Sequence, residues 1–424
     1  MNISAKNTYF FGGFMNLSTK PKLIYNKNSE TVDFCFYFPI KTDYKNIHYV
    51  RLLDYILSTT SKKYPGSSLF ENIKKQKLLI RNSIYLETND ETSFIVYVFT
   101  IPRENILKDY NIDETFAFAI SLIIDPYVEN NEFNENKFYY EKDYFVEKNR
   151  IIMDDPINKM NEEFYNIVDK KEYLGCSYLN STKMLKDITP ESLYEFYKEN
   201  IKENKCLKYV YGNINNKKLN YLFEKYYKQE DEVLNINIKK YKNIPESKSI
   251  DIIKNVQLEQ SYIYLEYKVK EFTENDRFYL KIINNFLYGP SNDLLFKKLR
   301  IEKNIVYSFS LIKYLNSGIF VVRAGIDEKN KNEFIHSVND TLIELQSFEV
   351  IKDCLNKLID GLKVDLLRAE DSENFKLANI ISDDLEEDTL KRNLEEYKNA
   401  DIDKIYEVLK KIELKNIVFF RGVK

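Results

Sequence analysis

Two side chains in the run Tyr288–Ser308, YGPSNDLLFKKLRIEKNIVYS, have types and spacing suited to chemistry. Arg300 stands at the end of a short helix carrying Leu294, Leu295, Phe296 and Leu299. Tyr307 follows seven residues later, on a strand that begins near Ile305. A guanidinium and a phenol aimed at one carbonyl oxygen can stabilise the negative charge that develops when a peptide bond is attacked. The plainer alternative is an arginine closing a helix and a half-buried strand tyrosine. In a chain with 34 tyrosines that alternative carries the greater weight on residue types alone.

Other chemistries are poorly supplied. Only His48 and His336 exist, and neither has a second histidine at helical spacing. A catalytic zinc normally needs three protein ligands, usually with an imidazole among them, so the sequence argues strongly against an autonomous zinc hydrolase. His336 lies on a charged helix and is expected to face solvent. GxSxG and Walker-type glycine loops are absent. The acidic run Asp383–Asp388 reads as a solvated face. Cys35, Cys176, Cys206 and Cys354 show no CxxC spacing, which points to buried thiols in a reducing compartment.

The elements that position Arg300 and Tyr307 follow from length and pattern. A chain of 424 residues with 44% hydrophobic and 30% charged residues reads as a soluble protein of two domains. A net charge of −3 argues against nucleic acid and membrane surfaces as partners. The N-terminus lacks the basic and apolar regions of a signal peptide, and no apolar run is long enough to span a bilayer. A cytoplasmic location is therefore expected. Strand-like runs at Lys22–Tyr25 and Val32–Ile40 precede a helix near 47–58, a turn at Tyr64-Pro65-Gly66, a short helix and a hairpin turning at 88–91. Thr189-Pro190 opens a later helix, and Cys206–Tyr211 forms a strand ending at Gly212. From Ile250 the order repeats: strands at 250–256 and 262–269 read as a pair, Thr273 caps a helix, and Tyr288-Gly289-Pro290 leads to a short helix and a second hairpin. Asn416–Phe420 before Gly422 echoes the strand before Gly212. Two copies of one α+β unit is the economical reading. The expected division is 1–228, a polar linker over 229–249, and 250–424. Each unit is expected to be a mixed, mainly antiparallel sheet with helices packed on one face.

With these residues in place, the run Leu295-Phe296-Lys297-Lys298-Leu299-Arg300-Ile301-Glu302-Lys303-Asn304-Ile305-Val306-Tyr307-Ser308 resembles the second-domain signature of the pitrilysin/insulinase-like metallopeptidases. That signature is a helix ending LF-x-x-[LI]-R-E-K followed by G-L-A-Y-S. Arg300 and Tyr307 fall at the positions the family uses to bind the substrate carbonyl. The departures are Ile301 for an acid, Asn304 for glycine and Val306 for alanine. In the first domain the family carries its zinc motif, HxxEH, ahead of a KYP element. Counting back from Lys63-Tyr64-Pro65, that motif falls on Arg51-Leu52-Leu53-Asp54-Tyr55, where both histidines and the glutamate are replaced. The downstream acidic ligand region corresponds to Glu141–Glu147. Gly175–Tyr197 and Tyr209–Gly212 also resemble family segments.

The resemblance is to the small two-domain bacterial class, and to its non-catalytic members. It implies a zinc-less subunit that forms a clam-shell heterodimer with an HxxEH-bearing paralogue. Zinc would sit in the partner, with no metal held by this chain. Arg300 and Tyr307 would reach the peptide in trans, and peptide substrate would be enclosed between the subunits. A chain inactive alone and accessory to a metalloendopeptidase follows from that. The alternative is a peptide-binding or scaffold homodimer of the same fold without a peptidase attached. Related pairs act in ribosomal peptide maturation, in a modification pathway and in general turnover, and nothing in these residues chooses among them.

Overall fold

The computed structural model describes residues 14–43, 45–63, 67–88, 92–169, 185–237, 244, 247–370, 373–385 and 389–423. The turns expected at 64–66 and 89–91, much of the 175–197 segment, Cys176 and the end of the acidic run lie outside the described residues.

The first unit's longest strand, Thr31–Lys41, reads TVDFCFYFPIK and is apolar on both faces. Phe34, Phe36 and Phe38 point into one hydrophobic cluster, while Cys35 and Tyr37 point into another. A strand with no polar face must be covered on both sides. It sits at the centre of a five-stranded sheet ordered Lys22–Tyr25, Leu207–Gly212, Thr31–Lys41, Thr92–Pro102, Arg81–Glu87. The first pair is parallel and the rest antiparallel. The second unit repeats this order as Ile250–Val256, Ile412–Gly422, Ser261–Val269, Ile319–Ile326, Ser308–Tyr314, again with only the first pair parallel. The architecture is therefore α+β, with two similar sheets.

One sequence expectation is corrected. The strands at 250–256 and 261–269 do not pair with each other, because the C-terminal strand Ile412–Gly422 lies between them. Sequence neighbours look like a hairpin, but the inserted strand arrives from the far end of the unit. The same insertion occurs in the first unit, where Leu207–Gly212 separates Lys22–Tyr25 from Thr31–Lys41. Both inserted strands end in glycine for a steric reason. A Cβ on Gly212, at φ +136°, would stand 2.3 Å from the Thr31 carbonyl oxygen; on Gly422 it would stand 2.6 Å from that of Leu258.

Most helices cover one face of each sheet, forming the two large cores. Capping boxes fix two of them: Thr189 with Ser192 opens Pro190–Tyr197, and Thr273 with Asp276 opens Glu274–Leu287. The opposite face of each sheet takes a helix from the other unit. Met160 and Phe164 of Pro156–Val168 pack on Tyr264, Val321, Val418 and Phe420. In return Ile381 and Leu385, from the end of Glu373–Asp384, pack on Cys35, Tyr37, Phe94 and Val96. Polar contacts follow the same exchange: Tyr264 donates to Asn161 at 2.8 Å, and Lys22 pairs with Asp384 at 2.7 Å. Within the segment read as a linker, Val233–Asn237 forms a strand antiparallel to Phe14–Ser18.

Candidate functional site

Arg300 is carried by a helical segment whose other face is anchored. Leu295 and Leu299 are fully buried in the second core, with Ile305 and Val306 beside them. The segment begins at Leu294–Phe296 and widens into i→i+5 hydrogen bonding over Lys297–Glu302, closing with Lys303 N–H on the Lys298 carbonyl at 3.1 Å. Such widened turns are frequent at functional sites. Asn304, at the position of the resembled signature's glycine, takes φ +50°, a left-handed conformation. Asparagine is among the few side chains that accept it, so the turn survives without the glycine.

This turn directs the guanidinium. Arg300 is exposed, and its Nη1 donates to the Val306 carbonyl at 2.6 Å and to Asn304 Oδ1 at 3.4 Å. Its Nε and Nη2 have no partner among the described residues. One nitrogen therefore braces the group while the opposite edge offers a two-pronged donor face. Tyr307 lies just before the Ser308–Tyr314 strand, at the edge of the second sheet, and the residue is 60% exposed. Its N–H donates to the Gly325 carbonyl at 2.8 Å, and its hydroxyl donates to Asp327 Oδ1, also at 2.8 Å. That bond to Asp327 pushes the phenol pKa up.

The positions matching the zinc motif lie on the helix Asn46–Leu57. Asp54 is half-buried and accepts the Ile84 N–H at 2.7 Å, and burial pushes its carboxyl pKa up. Tyr55 accepts from Lys148 Nζ at 3.0 Å and packs edge-on against Tyr144. Arg51 stands 5.8 Å over the Phe145 ring. Tyr144, Phe145 and Lys148 all belong to the helix Glu135–Met153, which faces this turn of Asn46–Leu57. Two cations and a phenol thus stand where imidazoles would be, and the one carboxylate is tied to a backbone amide. These residues do not fit a zinc ion. Of the downstream acids, Glu141 pairs with Lys137 and Glu147 with Arg150 at 2.7 Å. No group of three His, Cys, Asp or Glu able to hold a metal occurs among the described residues.

His48 is buried, and burial with the nearby Arg51 charge lowers its pKa to about 4. His336 is exposed. A groove of about 600 Å³ at the end of the first sheet, lined by Pro39, Lys41, Thr92 and Ile236 among others, contains none of these side chains. Sequence reasoning did not find Lys148 or Asp327. Lys148 lies four residues after Tyr144 on one helix face, which gives a weak signal once the facing helix is known. Asp327 meets Tyr307 only through hairpin register, with Ser308 opposite Gly325.

Residues 187–362, which include Arg300 and Tyr307, match the family model described as the Peptidase M16 inactive domain. A Bacillus subtilis protein named "Probable inactive metalloprotease YmfF" is 22% identical over 66% of this chain and 66% of its own length, just short of two thirds. A conserved protein from Enterococcus faecalis V583 has the same fold, with a TM-score of 0.79 at 19% identity over 96% of this chain and 99% of that one. The peptidase M16 inactive domain from Pseudomonas fluorescens gives 0.67 at 11% identity, over 97% and 98%. The fold is thus shared end to end, and the family match falls on the segment with the Arg/Tyr signature. Over residues 187–362 the chain is similar to the M16 inactive domain, and from end to end it has the fold of these M16-like structures.

Proposed function

We propose that this chain is the zinc-less subunit of a two-subunit peptidase and supplies Arg300 to peptide bound at a partner's zinc centre. The observation that carries the reading is an asymmetry between the two units. In the first, the would-be metal position is filled by Arg51, Tyr55 and Lys148. In the second, Arg300 keeps an exposed donor edge, and the exposed Tyr307 is bonded to Asp327. The partner is an HxxEH-bearing paralogue, whose zinc and glutamate perform the hydrolysis. Arg300 takes the scissile carbonyl oxygen or the oxyanion formed from it, and Tyr307 contacts the same peptide. Neighbouring strand edges add sequence-tolerant binding of an extended chain.

Co-expression with such a paralogue, followed by size-exclusion chromatography and peptide cleavage, tests the reading. Losing one charge-stabilising donor costs about a hundred- to a thousandfold in turnover. Arg300→Ala is expected to show that loss while the pair still co-elutes. Near-normal cleavage by the Arg300→Ala pair removes the role assigned here.

A further inference from the structure

The helix Glu135–Met153 carries polar groups for which the reading above has no use. Tyr140, Tyr144 and Lys148 recur every four residues, so they share one stripe of the helix surface. Both tyrosines stay exposed, at 65% and 52%, and Lys148 is exposed with them. Lys148 Nζ donates to the Tyr55 hydroxyl at 3.0 Å and lies 5.5 Å over that ring. Packing holds the ring in place: Tyr144 meets it edge-on with centroids 5.5 Å apart, and Phe145 stands 5.8 Å away.

An ammonium has three N–H groups and accepts nothing. One N–H is spent on Tyr55, and that hydroxyl, already accepting, keeps its own proton to give. Lys148 forms no ion pair among the described residues. The acids next to the pair in sequence are engaged elsewhere: Asp54 accepts the Ile84 N–H at 2.7 Å, and Glu147 pairs with Arg150 at 2.7 Å. Arg51, 5.8 Å over the Phe145 ring, adds a second positive charge between the same two helices. What faces outward is a cation with a second donor 3.0 Å away, among exposed aromatic rings. Its complement is one negative charge spread over two acceptor oxygens on a carbon stem, which is a carboxylate.

We propose that Lys148 and Tyr55 bind the carboxylate of a peptide, the ammonium and the phenol each donating to one of its oxygens, with Tyr140 and Tyr144 flanking its carbon chain. That the carboxylate belongs to a peptide rests on the reading above; the preference for the anion does not. A chain terminus and an acidic side chain both supply the group.

Fluorescence anisotropy on the full isolated chain tests this with three peptides of uncharged residues bearing a neutral dye. One ends in a free carboxylate, one ends in an amide, and the third is the amide with a central glutamate. At least one acidic peptide should bind about three- to tenfold tighter than the neutral amide, and which one does so identifies the source of the carboxylate. Lys148→Met, which keeps the aliphatic stem, should abolish that preference, and Tyr55→Phe, which keeps the ring, should weaken it. Equal affinity for all three peptides, or no saturable binding of any, overturns the proposal. So does a preference that survives Lys148→Met or is unmoved by Tyr55→Phe. Near-normal cleavage by the Arg300→Ala pair would instead refute the subunit role and leave the anion preference standing.

Discussion

Glu266 offers the most quantitative test of how the two units hold together. It lies on Ser261–Val269, on the sheet face that receives the Pro156–Val168 helix, and is only 5% exposed. Oε1 accepts from Asn416 Nδ2 at 3.0 Å, and Oε2 has no partner among the described residues. Burial raises its pKa from 4.5 to about 7; the Asn416 bond lowers it, Asp169 raises it, and Lys268 and Lys415 lower it. A raised folded-state pKa means the native state holds its proton longer than the unfolded chain does. Stability is therefore intact below pH 4.5, falls as pH rises toward 7, and stays lowered above that. A shift from 4.5 to about 7 corresponds to about 3 kcal/mol at pH 8. Glu266→Gln keeps the acceptor for Asn416 and removes the charge. With about 2 cal/mol/K of unfolding entropy per residue, a gain of that size raises Tm by about 3–4 °C if both units melt together. The assay is thermal melting of wild type and Glu266→Gln at pH 4.5 and pH 8. The expected difference is a few degrees at pH 8 and under about 1 °C at pH 4.5. Equal melting at pH 8, or equal stabilisation at both pH values, would refute the argument.

Two further outcomes follow from the site geometry. At Asn304, with φ +50°, substitution by glycine should leave Tm nearly unchanged, whereas Asn304→Val should cost about 1–2 kcal/mol and, in the reconstituted pair, lower cleavage by displacing Arg300. Restoring the zinc motif alone, as Arg51→His with Asp54→Glu and Tyr55→His, should give no stoichiometric zinc by elemental analysis after dialysis, because the Lys148 ammonium remains beside position 55. Adding Lys148→Glu should allow zinc to be retained; one tightly held zinc in the triple variant would contradict this account.

How much was legible depended on whether a feature is local. The second-half repeat was visible because Tyr288-Gly289-Pro290, the Thr273 cap and the strands before Gly212 and Gly422 are local signals, and both sheets share one strand order. The pairing of 250–256 was misjudged because strand insertion depends on a partner more than 150 residues away. The helix exchange was also hidden: Met160 and Phe164 look like any amphipathic stripe, and nothing in their spacing says which sheet they cover. At the site, Arg300 and Tyr307 stood out by type and spacing, and only the resemblance assigned them a role. Their partners Val306, Asn304 and Asp327 needed the turn and the hairpin register.

The two candidate sites differ in what their side chains contribute to the fold, and that difference separates structural from functional explanations. Arg51 and Tyr55 are half-buried and knit two helices together through Phe145, Tyr144 and Lys148. Their identities are accounted for by packing, and replacing them should disturb the first unit. Arg300 and Tyr307 are exposed, and the burial that anchors their segment comes from Leu295, Leu299, Ile305 and Val306. An exposed tyrosine held to a carboxylate and an exposed arginine braced at one nitrogen add little to stability, since water competes for and screens such surface contacts. The fold does not require them, and the proposed contact with a peptide would account for their geometry.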